Sequence, residues 1–168
     1  MRDNRPSAAL YELLEEVGSS SRIDEMLSVL DRRLRGVLPF DALKIYLPGD
    51  SEGGGDAEYV AHTGRPAFNR DPRLNAGAEC VFRSMLAVPL DDAAGAAGVL
   101  ALFSCEAGVF EPADLGALLW IRSDLARAVR KALRHESRGE TYSQPSSTVR
   151  SPVRCRKRVS SVSNAWPS

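Results

Sequence analysis

Few residues in this chain have types and spacings that could do chemistry. Cys80, Cys105 and Cys155 are an odd number of thiols with no CxxC pair, which disfavours both a disulfide framework and a zinc site. His62 and His135 are the only histidines, so no metal cluster has its ligands. No Asp-His-Ser or Cys-His constellation can be assembled from these positions. Cys80 reads as an inert thiol, and His62 as a surface or pocket-lining residue rather than a base. Gly53-Gly-Gly55 lacks the Lys-Ser/Thr pair of a phosphate loop and opens no helix, so it reads as a flexible linker. Arg154-Cys-Arg-Lys-Arg158 could touch nucleic acid or anionic lipid, but short basic runs bind such polymers weakly and without sequence choice. With no aromatic residue interleaved before Trp166, it reads as a solvated tail. No catalytic residue, metal or cofactor is assigned.

The elements that would position such residues follow from composition and periodicity. A chain of 168 residues suggests one domain. Its zero net charge hides an asymmetry: residues 141–168 carry five basic groups and no acid, leaving 17 basic against 22 acidic residues in 1–140. No apolar run approaches the ~20 residues of a membrane span, and the N-terminus lacks the apolar core of a signal peptide. Cytoplasmic location, with no membrane partner, is the default expectation.

Leu10, Leu13, Leu14 and Val17 form one apolar helical face over Ser7–Val17, with Gly18 suited to a left-handed end. Ser21-Arg-Ile-Asp24 has capping-box spacing before a second stripe, Ile23 to Val37, which Pro39 stops. In Ala42–Leu47, Leu43, Ile45 and Leu47 point one way and Lys44 and Tyr46 the other. Residues 57–63 fit either a strand or a short helix ended by Gly64, and a short strand is expected near Ala67. Ser84–Leu90 and Gly98–Ser104 are apolar on both faces, as central strands are, and their short connection predicts an antiparallel hairpin. Pro112 opens a last helix with Leu115, Leu118, Leu119, Leu125, Ala126 and Val129 on its buried stripe. Residues 141–168 have no apolar period and are expected to be disordered.

Helix, helix, strand, irregular segment, strand, strand, helix is an order that resembles a GAF domain. The resemblance covers about residues 22–134 and rests on Phe40–Leu47, Arg83–Leu90, Gly98–Ser104 and Phe110–Leu133. Val60-Ala-His-Thr-Gly-Arg-Pro66 is similar to the family's Val-Ala helix ended by Gly before Pro, which favours helix for 57–63. The resemblance implies an α+β fold in which the N- and C-terminal helices pack on one face of an antiparallel sheet. Between Leu47 and Val60 the family normally has a further strand hairpin, and here only twelve residues intervene. The sheet is therefore expected to have three or four strands. The organisation read from the chain is an N-terminal helix (1–20), the GAF-like domain (21–135) and a basic Ser/Pro/Arg tail (136–168). Domains of this type often precede an output domain such as a diguanylate cyclase. Nothing here resembles one, which implies a stand-alone or shortened input module.

What the resemblance implies for function is a non-catalytic sensory or regulatory module. A small ligand would lie on the face opposite the helices, against Tyr46, Met85, Ala87, Ala101 and Phe103, with His62 and Cys80 at the roof. Leu10, Leu13, Leu14, Val17 and Trp120 would form a homodimer or partner surface. Two alternatives stand beside this: a helical interaction module with a degenerate pocket, and a thiol enzyme. Free-methionine-sulfoxide reductases are an enzymatic branch of the family with several cysteines in the region of Cys80. Only Cys80 matches here, at a different spacing, with Cys105 as a resolving thiol only if the fold brings it near. A bilin site is not supported, because the family's Cys-His neighbourhood is absent.

Overall fold

The computed structural model describes residues 8–48, 55–72, 81–139 and 148–150. In chain order these form α1 (Ala8–Ser19), α2 (Ile23–Leu34), β1 (Ala42–Tyr46), α3 (Asp56–Thr63), β2 (Ala67–Arg70), β3 (Ser84–Asp92), β4 (Gly95–Ser104), α4 (Pro112–Gly139) and β5 (Thr148–Arg150). The sheet is antiparallel throughout, in the order β2-β3-β4-β1-β5. The four strands β1 to β4 match the expected count, and three tail residues extend the sheet at its β1 edge.

The hairpin β3–β4 organises everything else. Both strands are apolar on both faces, so each face must be covered. Leu86, Val88 and Leu90 of β3, with Leu100 and Leu102 of β4, lie on one face and are fully buried. Leu43 and Ile45 of β1 continue that face. Over it pack α1, α2 and α4, which supply Leu13, Met26, Leu30, Leu34, Leu118, Ile121 and Leu125 to the same core. On the opposite face lie Met85, Ala87, Val99 and Ala101, covered by Val60 of α3. The hairpin turns at Ala93-Ala94, so the small-residue stretch expected as connection is largely strand.

The three helices are fastened by polar contacts at their ends. The expected capping box at Ser21 is not used. Arg22 occupies the cap position of α2 without a side-chain bond, and the Ile23 amide donates instead to Glu136 Oε1 of α4 at 3.1 Å. Lys131 Nζ donates to the Gly18 carbonyl at 2.7 Å. Glu16 of α1 accepts from Arg33 Nε at 2.8 Å and from Arg32. These bonds hold the Glu16 carboxyl below its ordinary range, with the Arg33 hydrogen bond the largest cause. At the start of α4 the Asp114 carboxylate accepts from the Glu111 amide at 2.8 Å, and the Asp114 amide donates back to the Glu111 carbonyl at 2.9 Å.

Three expectations are corrected. Gly18 does not end α1, which runs on to Ser19 with Gly18 in helical conformation. The stripe of α1 is not a free surface: Leu10, Leu13 and Val17 are at most 2% exposed within one chain, and Leu14 is half-buried. That face is spent on α2 and α4, because a helix beside two others satisfies its apolar stripe inside the fold. The tail does not begin at 136, since α4 continues to Gly139 and residues 148–150 form β5. The rest of the expected disordered segment lies outside the described residues.

Leu13→Asp is therefore expected to unfold the protein rather than yield a folded monomer. A carboxylate at a site 1% exposed is unpaired and buried, and such changes cost about 4 kcal/mol or more. Circular dichroism against temperature checks this; a folded variant with an unchanged melting midpoint would contradict the packing described.

Candidate functional site

The face opposite the helical layer is built in rows across the sheet. Directly paired residues of antiparallel strands share a face. One row runs Lys44 (β1), Ala101 (β4), Ala87 (β3), Ala67 (β2). A second runs Ala42, Phe103, Met85, Arg70, and a third Tyr46, Val99, Pro89. The middle row is three alanines ending in a lysine. The three alanines are at most 2% exposed and pack with Val60 of α3, between the larger side chains of the rows on either side.

Lys44 is 7% exposed, and its Nζ lies 4.3 Å from the centroid of the Tyr46 ring. An ammonium over a tyrosine face is attracted by the ring quadrupole. On the other flank, the rings of Phe103 and Phe82 lie 5.2 Å apart. The roof is α3, which ends at Gly64 in the left-handed conformation (φ 67°), with the Gly64 amide bonded to the Val60 carbonyl. Ala57 and Val60, one turn apart, face the sheet and are buried. At the rim Arg70 Nε lies 3.7 Å from Asp56 Oδ1, and the Arg70 guanidinium lies 5.5 Å from the Tyr59 ring centroid. This salt bridge and ring contact tie β2 to α3.

Two further contacts fix the frame. Asn69, with φ 50°, accepts from the Ser84 hydroxyl at 2.8 Å and from the Phe110 amide at 3.1 Å, and donates to the Phe110 carbonyl at 2.7 Å. It joins β2, β3 and the segment leading into α4. Asp41 Oδ2 accepts from the Cys105 amide at 2.8 Å and the Ser104 hydroxyl at 3.2 Å, locking the end of β4 to the start of β1.

Of the residues expected on this face, Tyr46, Met85, Ala87, Ala101 and Phe103 are brought together in one cluster. His62 is not among them. It is exposed on α3, because it stands two residues, about 200° of helix, from Val60. Cys80 lies outside the described residues. Cys105 is buried and disulfide-bonded to a partner outside the described residues, so at least one disulfide forms despite the odd cysteine count. The sequence reading missed Val60, Ala67 and Val99 as lining; placing Val60 at the C-terminal turn of a helix capped by Gly64 would have turned it inward. Among the described residues no three His, Cys, Asp or Glu side chains are grouped to hold a metal ion.

A second surface lies on the helical layer. Tyr11 of α1 and Trp120 of α4 meet edge to face, with centroids 5.0 Å apart, and are 55% and 40% exposed. Trp120 is thus the one member of the expected dimer surface that stands well out in solvent, and Tyr11 was not among the residues expected there.

No protein-family model matches this chain, and no curated protein matches it. Solved structures do. The chain aligns with the GAF domain of a phosphoenolpyruvate-protein phosphotransferase from Coxiella burnetii at a TM-score of 0.64 and 17% identity, over 77% of this chain and 95% of that one. The corresponding Acinetobacter GAF domain gives 0.62 at 16% identity, with the same coverage. A free methionine-R-sulfoxide reductase from Neisseria meningitidis, solved with its substrate, gives 0.59 at 16% identity, over 75% of this chain and 89% of that one. The fold is that of the GAF domain.

Gly98 sets how closely β1 approaches β4 beside Tyr46. Its φ is +151°, and a β-carbon there would stand 2.5 Å from the Tyr46 carbonyl oxygen. Gly98→Ala is expected to destabilise the protein by about 1–3 kcal/mol, since backbone rather than a flexible side chain must yield. Chemical denaturation measures it; an unchanged midpoint would mean that Tyr46 is not held by this contact.

Proposed function

We propose that the chain is a non-catalytic sensory or regulatory module of the GAF type, which binds a small ligand over the alanine row and signals through its helical layer. The observation that carries this reading is the position of Lys44. A lysine only 7% exposed, at the end of a row of three buried alanines and beside Tyr46, places a cation at the margin of an apolar cluster. Ligand sites are commonly of this kind, mostly apolar with a few polar groups that fix orientation. The ligand class is a small acid with an apolar or planar body. Its acid group would meet Lys44, and its body would lie over Ala101 and Ala87 between Tyr46 and Phe103. Binding would bias the sheet, and the sheet would shift α1 and α4, which pack on its other face.

Among the described residues this face offers Lys44 and the ion-paired Arg70 as cations, under the eight-residue α3, which is little for an anion as bulky as a cyclic nucleotide. Calorimetric titration is expected to show no affinity for cyclic AMP or cyclic GMP tighter than about 100 µM, roughly −5.5 kcal/mol. For a small acid that does bind, Lys44→Met should weaken affinity at least about tenfold, the loss of one charge-assisted bond. Micromolar cyclic-nucleotide binding would overturn the size argument, and undiminished binding of the acid by Lys44→Met would overturn the role of Lys44.

The interaction-module reading is supported by the exposed Tyr11–Trp120 pair, since solvent-facing aromatic surface marks association sites. If the helical layer pairs with a second copy, Trp120→Ser should shift sedimentation towards monomer while leaving the melting midpoint within a few degrees. A wild type that is monomeric at tens of micromolar would remove this reading. The thiol-enzyme alternative has the bonded state of Cys105 and the reductase among the matching structures in its favour. Thiol-dependent reduction of free methionine sulfoxide, lost in Cys80→Ser, would establish it in place of the non-catalytic reading.

A further inference from the structure

The alanine row is closed to solvent. Ala67, Met85, Ala87, Val99 and Ala101 are all at most 3% exposed, in one cluster with Val60 of α3. A ligand reaches the row only when what covers it moves, and among the described residues the helix packed on it is α3. This helix is lightly held. It has eight residues, its buried apolar side chains are Ala57 and Val60, and Gly55 at its cap position supplies no side-chain bond. So short a helix has little stability of its own, and an element with few buried contacts opens at low free energy. Its C-terminal end leads through Gly64, Arg65 and Pro66 into β2. Gly64 is left-handed, with open space where a β-carbon would stand, so the connection can absorb a change of backbone angle.

We propose that α3 is a lid over the alanine row and that Arg70 is its latch. Among the described residues, both side-chain ties from α3 to the sheet go to this one residue: the Asp56 carboxylate, 3.7 Å from Arg70 Nε, and the Tyr59 ring, 5.5 Å from the guanidinium. The latch has a fixed half and a moving half. The pairing of β2 with β3 shifts register between Ala67 and Arg70, and an irregularity of this kind re-aims side chains. Asn69, the preceding residue, is bonded to Ser84 and Phe110, so the backbone that carries Arg70 is pinned to β3 and to the segment before α4. Asp56 instead rides on α3. The two partners also differ in burial: the Asp56 side chain is 9% exposed and that of Arg70 50%. A buried carboxylate is costly once its partner is gone, so release of Arg70 favours movement of the start of α3 towards water. Arg70 thereby sets how often the alanine row is open. Its role as a gate rests on the ligand reading proposed above, whereas the latch itself is a property of the free chain.

Peroxide oxidation of the full chain, read by mass spectrometry residue by residue, tests this without any ligand. Met85 lies under the lid and Met26 in the core of the helical layer, and both are buried. A buried thioether is oxidised when its surroundings open. The variants are Asp56→Asn, which removes the charge at nearly unchanged volume, and Arg70→Gln. Arg70 pairs with Met85 across the strands, and Asp56→Asn leaves that arginine in place, so its effect reports the latch rather than direct uncovering of Met85. In each variant Met85 should oxidise at least about threefold faster than in the wild type, with Met26 unchanged. Adding Asp56→Asn to Arg70→Gln should bring no further increase, because the two halves of one contact are lost only once. An unchanged Met85 rate in Asp56→Asn would show that the ion pair does not hold the lid. Equal acceleration of Met85 and Met26 would show a general loss of stability, and additive increases would show two independent contacts. Each of these results overturns the latch while leaving the Lys44→Met titration to decide the ligand site, and failure of that titration leaves the latch to be judged by Met85.

Discussion

The double burial of the β3–β4 hairpin is the constraint on which the rest of this structure depends. Leu86, Val88, Leu100 and Leu102 on one side, and Met85, Ala87, Val99 and Ala101 on the other, all need to leave water. At about 1.5–3 kcal/mol for each large apolar side chain fully buried, neither face could be left open. One face is met by three helices, which bring long side chains and make a thick core. Among the described residues, the other is met by the short helix α3 and side chains of unequal size. The difference follows from residue volume. Leucines accept a full helical layer, whereas the small alanine row lets α3 approach closely through Val60. The candidate site is thus a by-product of how the two faces of one hairpin are composed.

Polar contacts hold this two-layer arrangement in register. Asn69 and Asp41 act at one end of the sheet, bonding backbone groups that the strands leave unpaired. At the other end Arg130 of α4 binds the Asp92 carboxylate and the Gly95 carbonyl, clamping the hairpin turn to the helix. The Arg130 bond holds the Asp92 carboxyl below its ordinary range, against the opposing effect of burial. This contact therefore contributes fully above the pKa of an unfolded aspartate and is lost as the pH falls through the lower folded value. Through Arg130 and Glu136, α4 is thus bonded both to the hairpin turn and to the start of α2. Such coupling is what a regulatory reading requires.

Much of the fold was legible because it is periodic. The alternation of Leu43, Lys44, Ile45 and Tyr46 placed β1 and assigned its faces correctly, and the two-sided apolar strands identified the hairpin. Alternation put Tyr46, Met85, Ala87, Ala101 and Phe103 on one face of the sheet, where they form one cluster. His62 did not join it, because its position depends on the phase of a helix only eight residues long, where one apolar residue more or less changes the reading. The α1 stripe was read as a surface because a sequence does not reveal how many neighbours a terminal helix has. The cap on α2 was misplaced for a related reason: Glu136 is 113 residues from Ile23, and no local motif announces a cap from so far away. Pairing between β1 and residues 148–150 was invisible for lack of any apolar period in the tail.

The account's central claim is that the alanine row under α3, not the helical layer, is where this protein meets its ligand. Alanine-methyl NMR tests this most directly, with a panel of small carboxylic and phosphorylated acids added to the isotope-labelled full chain. Ala67, Ala87 and Ala101 occupy consecutive positions across three strands. The account predicts that at least one acid shifts these three methyl signals together and saturably, while Ala126, Ala128 and Ala132 of α4 move less. Saturable shifts confined to the α4 methyls, or no saturable shift from any member of the panel, would contradict it.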